Sequence, residues 1–560
     1  MMRASAGRPA PDAVAAALDR FAAVRLAEAL SRQRWFGSKG RRIVSVSVLD
    51  EVALGARAPG AWLLLLEVAF ERGPREVYSV PLVVSVEPPA AGEVLGRLDP
   101  PGPPALVSDA FDDEGFRRAL LGAFEEGLTF RARRGTLRFV RTAAFPRLVA
   151  GRAPASRRLR GEQSHTSVVY DDALILKGFR RLELGINPEH EMTGFLTMRA
   201  GFAHVPLLAG AAEYTGADGT AITLAVLHHF TPNQGDGWTW IQTHLERLRD
   251  FVTARARHEP LDAARLEQLV RDASATVLAA LQRLGAVTAG LHAALACDPV
   301  DPAFAPEPIG AGDVARWTQR IAGDLALTLE VLRARLPDLP APARARAEAL
   351  LAGEASLTAC LGGLDTLAAE GCVKIRIHGD YHLGQTLRTD DDFVILDFEG
   401  EPARPLAERR AKHSPLRDVA GMVRSLDYAA ATALGEGEGL RAAGDAWRRL
   451  AVDAFLDAYL GEITRTPVRL VPAARSGLAR ALAAFELDKA LYELRYEIDN
   501  RPAWIAVPLA GLSRLREQYR ARDLTRRTGR PTRGTARPRS SRGRLPPRPA
   551  PGLEEGRTPP

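Results

Sequence analysis

The sequence predicts an α+β protein in which a strand-rich N-terminal half is followed by a mostly helical C-terminal half. Up to about residue 231 the chain is broken into short apolar runs rich in Val, Ile, Leu and Thr, the composition of strands. Beyond TPNQGDGW (231–238) it changes to long Ala/Leu/Arg-rich segments with helical periodicity. At 560 residues, 46% hydrophobic and 26% charged, the chain is of ordinary globular composition with room for two or three domains.

Residues 14–33 read as an amphipathic helix that stops before RWFGSKGRR (34–42). Strand-like runs follow at IVSVSVLDEVAL (43–54), AWLLLLEVAF (61–70) and VYSVPLVVSVE (77–87). The Pro/Gly-rich LDPPGPP (98–104) reads as a subdomain boundary. A helix is expected over DDEGFRRALLGAFEEG (112–127), then strands over TLRFVRT, SVVYDDALILKGF and TAITLAVLHHF. Helices are expected within 261–296, 312–335, 343–370, 440–463 and 473–499; Leu266, Leu269, Val270, Ala273, Val277, Leu281, Leu284 and Leu291 approximate one face. The resulting division is a disordered leader (1–13), an N-terminal cap subdomain (14–104), a nucleotide-binding lobe (105–231), a helical catalytic and acceptor lobe (232–520) and a disordered tail (521–560).

The net charge of +7 invites a nucleic-acid role, but the charge sits in the tail. Between Arg522 and Pro560 there are eleven Arg and no Lys against Asp523, Glu554 and Glu555. The remainder is therefore close to neutral, and so Pro/Arg-rich a segment buries too little apolar surface to fold. No specific nucleic-acid partner is implied. Cys297, Cys360 and Cys372 make no CxxC pattern, which reads as buried thiols in a reducing compartment. The longest apolar run is too short to span a bilayer and the N-terminus lacks a signal-peptide core, so no membrane is implied and the expected location is cytoplasmic.

The chemistry concentrates in HGDYHLGQTLRTDDDFVILDFEGEP (378–402). Asp380 and Gln385 put a carboxylate and an amide on one loop, and the apolar run FVIL leads to a second carboxylate, Asp397. Phosphoryl transfer from a magnesium nucleotide needs such a set: one carboxylate for the acceptor hydroxyl, and an amide and a carboxylate for the metal. Asp390, Asp391 and Asp392 read as a hairpin turn, and His378 as a packed loop anchor. A metal clip of His378 and His382 lacks the helical context that would give them a shared face.

These residues resemble the protein-kinase-like superfamily, within it the aminoglycoside phosphotransferase branch, and most closely the actinobacterial maltokinases. RWFGSKGR (34–41), NQGDGW (233–238), HGDYHLGQTL (378–387) with DFEGEPARPLAERRAKHSPLRDVAGMVRSLDYAA (397–430), and NRPAWIAVPL (500–509) carry the resemblance. It implies a bilobal kinase-like fold with an N-terminal cap. The implied reaction is ATP-dependent phosphorylation of maltose at its anomeric hydroxyl, giving maltose 1-phosphate for α-glucan (glycogen) synthesis. ATP and Mg2+ are the implied nucleotide and metal, and trehalose synthase is an implied partner. On the same resemblance Asp380 is the catalytic base, Gln385 and Asp397 are magnesium ligands, and Lys177 pairs the phosphates with Glu191, ahead of Glu189, as its helix partner. Ser164 and Thr166 are candidates for a phosphate-covering turn, and backbone groups from Leu227 to His229 for an adenine hinge. Asp418 reads as a helix N-cap that ties down the catalytic loop. Lys39 and Arg41, in the cap motif, stay off the candidate site.

Sugar recognition needs polar side chains for hydroxyls and aromatic faces for the ring. Tyr492, Glu493, Asn500 and Arg501 near the end of a predicted helix, with Arg404, are the candidates. Core packing explains the two tyrosines Tyr492 and Tyr496 equally well. Two alternatives remain: a kinase of this fold acting on another sugar or aminosugar, such as glucosamine or an aminoglycoside, and a non-catalytic scaffold for trehalose synthase.

Overall fold

The computed structural model describes residues 11–55, 60–99, 103–146, 154–159, 165–435 and 437–528. Two large antiparallel sheets, two short two-stranded pairs and a helical body make up the described residues. The first sheet takes β1 (Ile43–Ala53), β2 (Ala61–Phe70), β3 (Glu76–Ser85), β4 (Val94–Leu98) and β5 (Ala105–Asp109) in the order β1-β2-β3-β5-β4. The second takes β6 (Thr129–Arg131), β7 (Thr136–Arg141), β8 (Ser156–Arg158), β9 (His165–Tyr170), β10 (Leu174–Phe179), β12 (Leu208–Thr215) and β13 (Ala221–His229) in the order β6-β7-β12-β13-β10-β9-β8. Between them β11 (Arg181–Leu182), leaving β10, crosses back to pair with β3.

The unbroken apolar run of β2 has a simple cause: both faces of that strand are covered. Leu64, Leu66 and Val68 pack against Val14, Leu18 and Phe21 of the N-terminal helix Pro11–Phe21. Leu63 and Leu65, on the opposite face, join Phe111, Phe124, Val168 and Leu176 in a core shared with the second sheet. The helix Glu114–Glu126 lies in the same core, its start fixed by Asp113, whose carboxylate accepts the Phe116 N–H at 2.6 Å. LDPPGPP does not divide subdomains. The strands on either side of it, β4 and β5, are paired neighbours in one sheet, so the boundary at residue 104 falls inside a sheet.

Arg180 stitches the two sheets together. It is fully buried; its Nη2 meets Asp109 Oδ2 at 2.5 Å and its Nε donates to Thr166 Oγ1 at 2.8 Å. The guanidinium also lies over the rings of Trp35 (4.6 Å) and Phe111 (4.8 Å). Trp35 belongs to RWFGSKGRR, which therefore builds the joint between the sheets rather than a basic catalytic turn.

The chain leaves β13 through the 231–236 segment, which is clipped to the 386–395 hairpin: Gln234 N–H donates to Arg388 O (2.7 Å) and Arg388 N–H to Gly235 O (2.9 Å). Asp236 then caps the helix Gly237–Ala256 through Thr239 N–H. In the helical body, Ala275–Leu295 packs on Glu438–Ile463, and Arg475–Asn500 packs on Leu416–Leu434 and Ala311–Arg335. By length and composition Ala275–Leu295 could cross a membrane, but Val277, Leu281, Leu284 and Leu291 sit in the protein core. The last helix, Ala506–Thr528, runs past residue 520.

Candidate active site

Two short loops, 378–385 and 397–400, meet beside the helix Leu416–Leu434. His378 holds them together, its Nε2 donating to Leu396 O (2.8 Å) and its Nδ1 accepting Asp380 N–H (3.4 Å). Asp418 accepts the N–H groups of His378 (2.8 Å) and Gly379 (2.9 Å) and lies 3.3 Å from His292 Nε2. It stands inside the first turn of its helix and caps nothing; the expected N-cap is replaced by a buried anchor. Gly421 brings the loop close, since a Cβ there would lie 2.5 Å from Tyr381 O. Gly379 (φ 83°) and Gly400 (φ 73°) take the left-handed conformations that let the loops back onto each other. Asp397 also has positive φ (65°), a conformation uncommon outside glycine that aims its carboxylate back toward Gln385.

Asp397 accepts from Gln385 Nε2 at 2.9 Å and from Lys177 Nζ. Lys177 lies 2.6 Å from Glu399 Oε1 and 3.8 Å from Glu189 Oε2. Burial opposes the charge on Asp397, but Lys177 more than offsets it and holds the carboxyl far below the usual aspartate value. Burial likewise opposes charge on Lys177, and Asp397, Glu399 and Glu189 together raise it well above the usual lysine value. Glu189 is pushed up by burial, with Lys177 pulling back.

Glu191 is not the partner of Lys177. On the helix Pro188–Gly194, two residues are about 200° apart, so Glu189 and Glu191 face opposite ways. Glu191 instead takes Arg376 (2.7 Å) and Arg410 (2.8 Å). Thr166 is buried in β9, and its hydroxyl accepts from Arg180 Nε. Ser164 lies outside the described residues. At the expected hinge the sheet itself takes up part of the backbone. Leu227 is fully buried with a ladder partner on each side, and His229 gives its N–H to Leu207 O (2.9 Å) and its ring Nε2 to Ala144 O (2.6 Å). Leu227 and the His229 N–H are thus engaged within the sheet.

Asp380 lies 3.0 Å from Lys489 Nζ, and Lys489 lies 3.7 Å from Glu401. Burial pushes Asp380 up, but Lys489 outweighs it and the carboxyl ends below its usual value. The sequence reading missed Lys489. Its signal was the spacing of Lys489, Tyr492, Glu493 and Tyr496, which puts all four on one face of Arg475–Asn500.

That face lines a cleft of about 670 Å³ reaching Asp380 and His382, with Trp238, Tyr428 and Trp504 on its other walls. Tyr492 and Tyr496 stack with centroids 6.3 Å apart. Each carboxylate of the cleft is engaged: Asp380 with Lys489, Glu493 with Arg424 (2.7 Å), Glu497 with Arg501 (2.7 Å), and Asp236 with its helix cap. Asn500 is exposed, donates to Tyr496 O (2.9 Å) and does not line the cleft. Arg404 pairs with Glu401 and lines the smaller hollow on the other side of Asp380. The site thus joins Asp380, Gln385, Asp397 and Lys177 around two loops, with Tyr492, Glu493 and Arg501 on an adjoining aromatic cleft.

Residues 30–113 match the maltokinase N-terminal cap domain family. A glucosamine kinase of Mycolicibacterium smegmatis is 31% identical over 375 residues, 65% of this chain and 82% of the relative. A glucosamine kinase of Streptacidiphilus jiangxiensis is 30% identical over 371 residues, 65% of this chain and 75% of the relative. Among solved structures, a glucosamine kinase in complex with glucosamine, ADP and inorganic phosphate superposes with a TM-score of 0.58 at 22% identity, over 87% of this chain and 98% of that one. This last likeness establishes the bilobal kinase-like fold.

Proposed function

We propose maltose as the acceptor, on the premise that the chain belongs to the kinase-like family of these glucosamine kinases and is an ATP-dependent carbohydrate kinase. The reaction is transfer of the ATP γ-phosphoryl group to the anomeric hydroxyl, giving ADP and maltose 1-phosphate. The observation that carries the choice of a neutral sugar is the state of the cleft's carboxylates, three held by cations and the fourth by a helix cap. An ammonium entering there finds three of the four carboxylates already paired, and only Asp236, whose charge the helix N-terminus partly offsets, is left to meet it; burying a cation with so little counter-charge is costly. The aromatic walls suit the C–H faces of a neutral sugar. A complex with trehalose synthase belongs to the same proposal.

In this reading Asp380 accepts a hydrogen bond from the acceptor hydroxyl and takes its proton as the phosphoryl group transfers. Lys489 keeps that carboxylate ionised and aimed at the cleft. Lys177 binds the nucleotide phosphates, and Glu189 positions it. Asp397 and Gln385 offer a carboxylate and an amide oxygen, the donor types magnesium prefers, although it is the Gln385 amide nitrogen that meets Asp397, so metal binding requires the amide to turn its oxygen inward. Magnesium held by these two residues, when bound, neutralises charge on the phosphates.

The names of the relatives favour glucosamine as the rival acceptor. Phosphorus NMR with ATP, magnesium and parallel maltose, glucose, glucosamine and trehalose separates the two. A maltose anomeric phosphate signal, with kcat/KM at least roughly tenfold above that for glucosamine, is the expected result. Preference for glucosamine would overturn the maltose reading and leave the kinase assignment untouched. The Lys177 assignment has its own check. Glu189→Gln is expected to raise KM for ATP by roughly tenfold, an interaction of about 1.4 kcal/mol, whereas Glu191→Gln leaves it within about twofold in steady-state assays.

A further inference from the structure

Behind the catalytic loop lies a second cavity, of about 580 Å³, between the 404–417 segment and the start of the helix Ala311–Arg335. Its walls carry Arg316, Arg320, Lys374, Arg376, Arg410 and Lys412, and Arg404 and Arg417 close the side toward Asp380. Only Glu307, Asp313 and Glu408 face these eight cations within the lining.

Arg320 is matched by Asp488 (2.6 Å) and Asp324 (3.1 Å), but most of the other neutralising carboxylates are shared, Asp313 between Arg316 and Lys374 among them. Glu307 serves both Lys374 (3.3 Å) and Lys412 (2.7 Å), and Glu191 serves both Arg376 and Arg410. Glu401 is divided among Arg404, Arg417 (3.1 Å) and Lys489. Arg376, 2% exposed, spends Nη1 on Glu191, and its Nε and Nη2 find no hydrogen-bond partner among the described residues. Burial and the neighbouring Arg404 push Arg417 below the usual arginine value. Trp317, stacked on His413 with centroids 4.1 Å apart, closes the floor.

A concave wall on which eight guanidinium and ammonium groups face three lining carboxylates suits a compact dianion with several acceptor oxygens. We propose that this cavity binds a phosphate dianion, either free or as the monoester of a sugar, at a site separate from the acceptor cleft. The proposal rests on the cavity alone and holds whichever sugar the enzyme phosphorylates.

Calorimetric titration of the full chain, held with ADP and magnesium, tests it with inorganic phosphate and glucose 6-phosphate as probes. Saturable binding is expected, weakened at least roughly tenfold in Lys374→Ser/Lys412→Ser and measurably weakened in the milder rim variant Arg316→Gln. Asp380→Asn is expected to retain it. Tighter binding of the ester assigns the sugar phosphate as the ligand, and equal binding assigns phosphate alone; both support the site. Absence of binding, equal affinity in the wild type and both cation variants, or loss in Asp380→Asn would overturn it, the last by moving the anion to the acceptor cleft.

Discussion

Asp380→Asn is expected to lower kcat for sugar phosphorylation by roughly 10²–10⁴-fold with the fold intact. The asparagine oxygen still accepts from Lys489, so the 3.0 Å contact and the loop anchored by Asp418 survive while the proton acceptor is lost. KM for ATP should change little, because the residues proposed for the nucleotide, Lys177, Asp397 and Gln385, are untouched. The pH dependence has a definite sign. Asp380 is held below its usual value, so its ion pair contributes stability above the ordinary aspartate range, and that contribution is lost as pH falls through the lower folded-state value. Wild type and variant should therefore differ in urea midpoint near neutrality and converge in strong acid. Turnover of the variant within about twofold of wild type would remove Asp380 from the role of base.

The largest stability effect is expected at Arg424. Its guanidinium is buried, with Nε and Nη2 on Glu493 (3.0 and 2.7 Å) and Nη1 on Asp427 (2.5 Å). Arg424→Met strands Glu493 in the interior, while Asp427 keeps Arg514 and Arg448, and should cost about 3–5 kcal/mol, read from the midpoint of denaturant unfolding. Adding Glu493→Gln removes the stranded charge and should recover part of the loss, a coupling that a double-mutant cycle measures. Glu493 also lines the acceptor cleft, so freeing it gives an ammonium a counter-charge. The activity ratio of glucosamine to maltose should rise in Arg424→Met, which links the ion pair to acceptor choice.

Much of the fold was legible because its signals are local. The run AWLLLLEVAF is β2 residue for residue, and the Ala/Leu/Arg-rich segments are helices, although 261–296 breaks at Ser274 into Ala263–Ala273 and Ala275–Leu295. The motif loops were equally readable: Asp397 and Gln385 meet at 2.9 Å, and Asp390 to Asp392 lie in the turn joining the 386–388 and 393–395 strands. What the sequence hid is the direction of side chains. Glu189 and Glu191 are indistinguishable until the helix phase is known. Thr166 looks like a loop hydroxyl until Arg180 is seen beneath it, and Leu227 to His229 look like a free edge until strands flank them. Lys489 was hidden for the same reason, since its partner Asp380 is more than a hundred residues away.

The joint at Arg180 bears on how such a molecule can be rearranged. A module can be lost or exchanged when the surface it leaves behind is fit for water. Here removal of the first sheet would strip Arg180 of Asp109 and of the Trp35 and Phe111 rings, and would leave β11 without the strand it pairs with. It would also open the apolar core that Leu63 and Leu65 share with Val168 and Leu176. The N-terminal sheet is therefore no detachable cassette: exchange at this boundary requires simultaneous change in β10 and β11, so the two sheets should be engineered as a single unit.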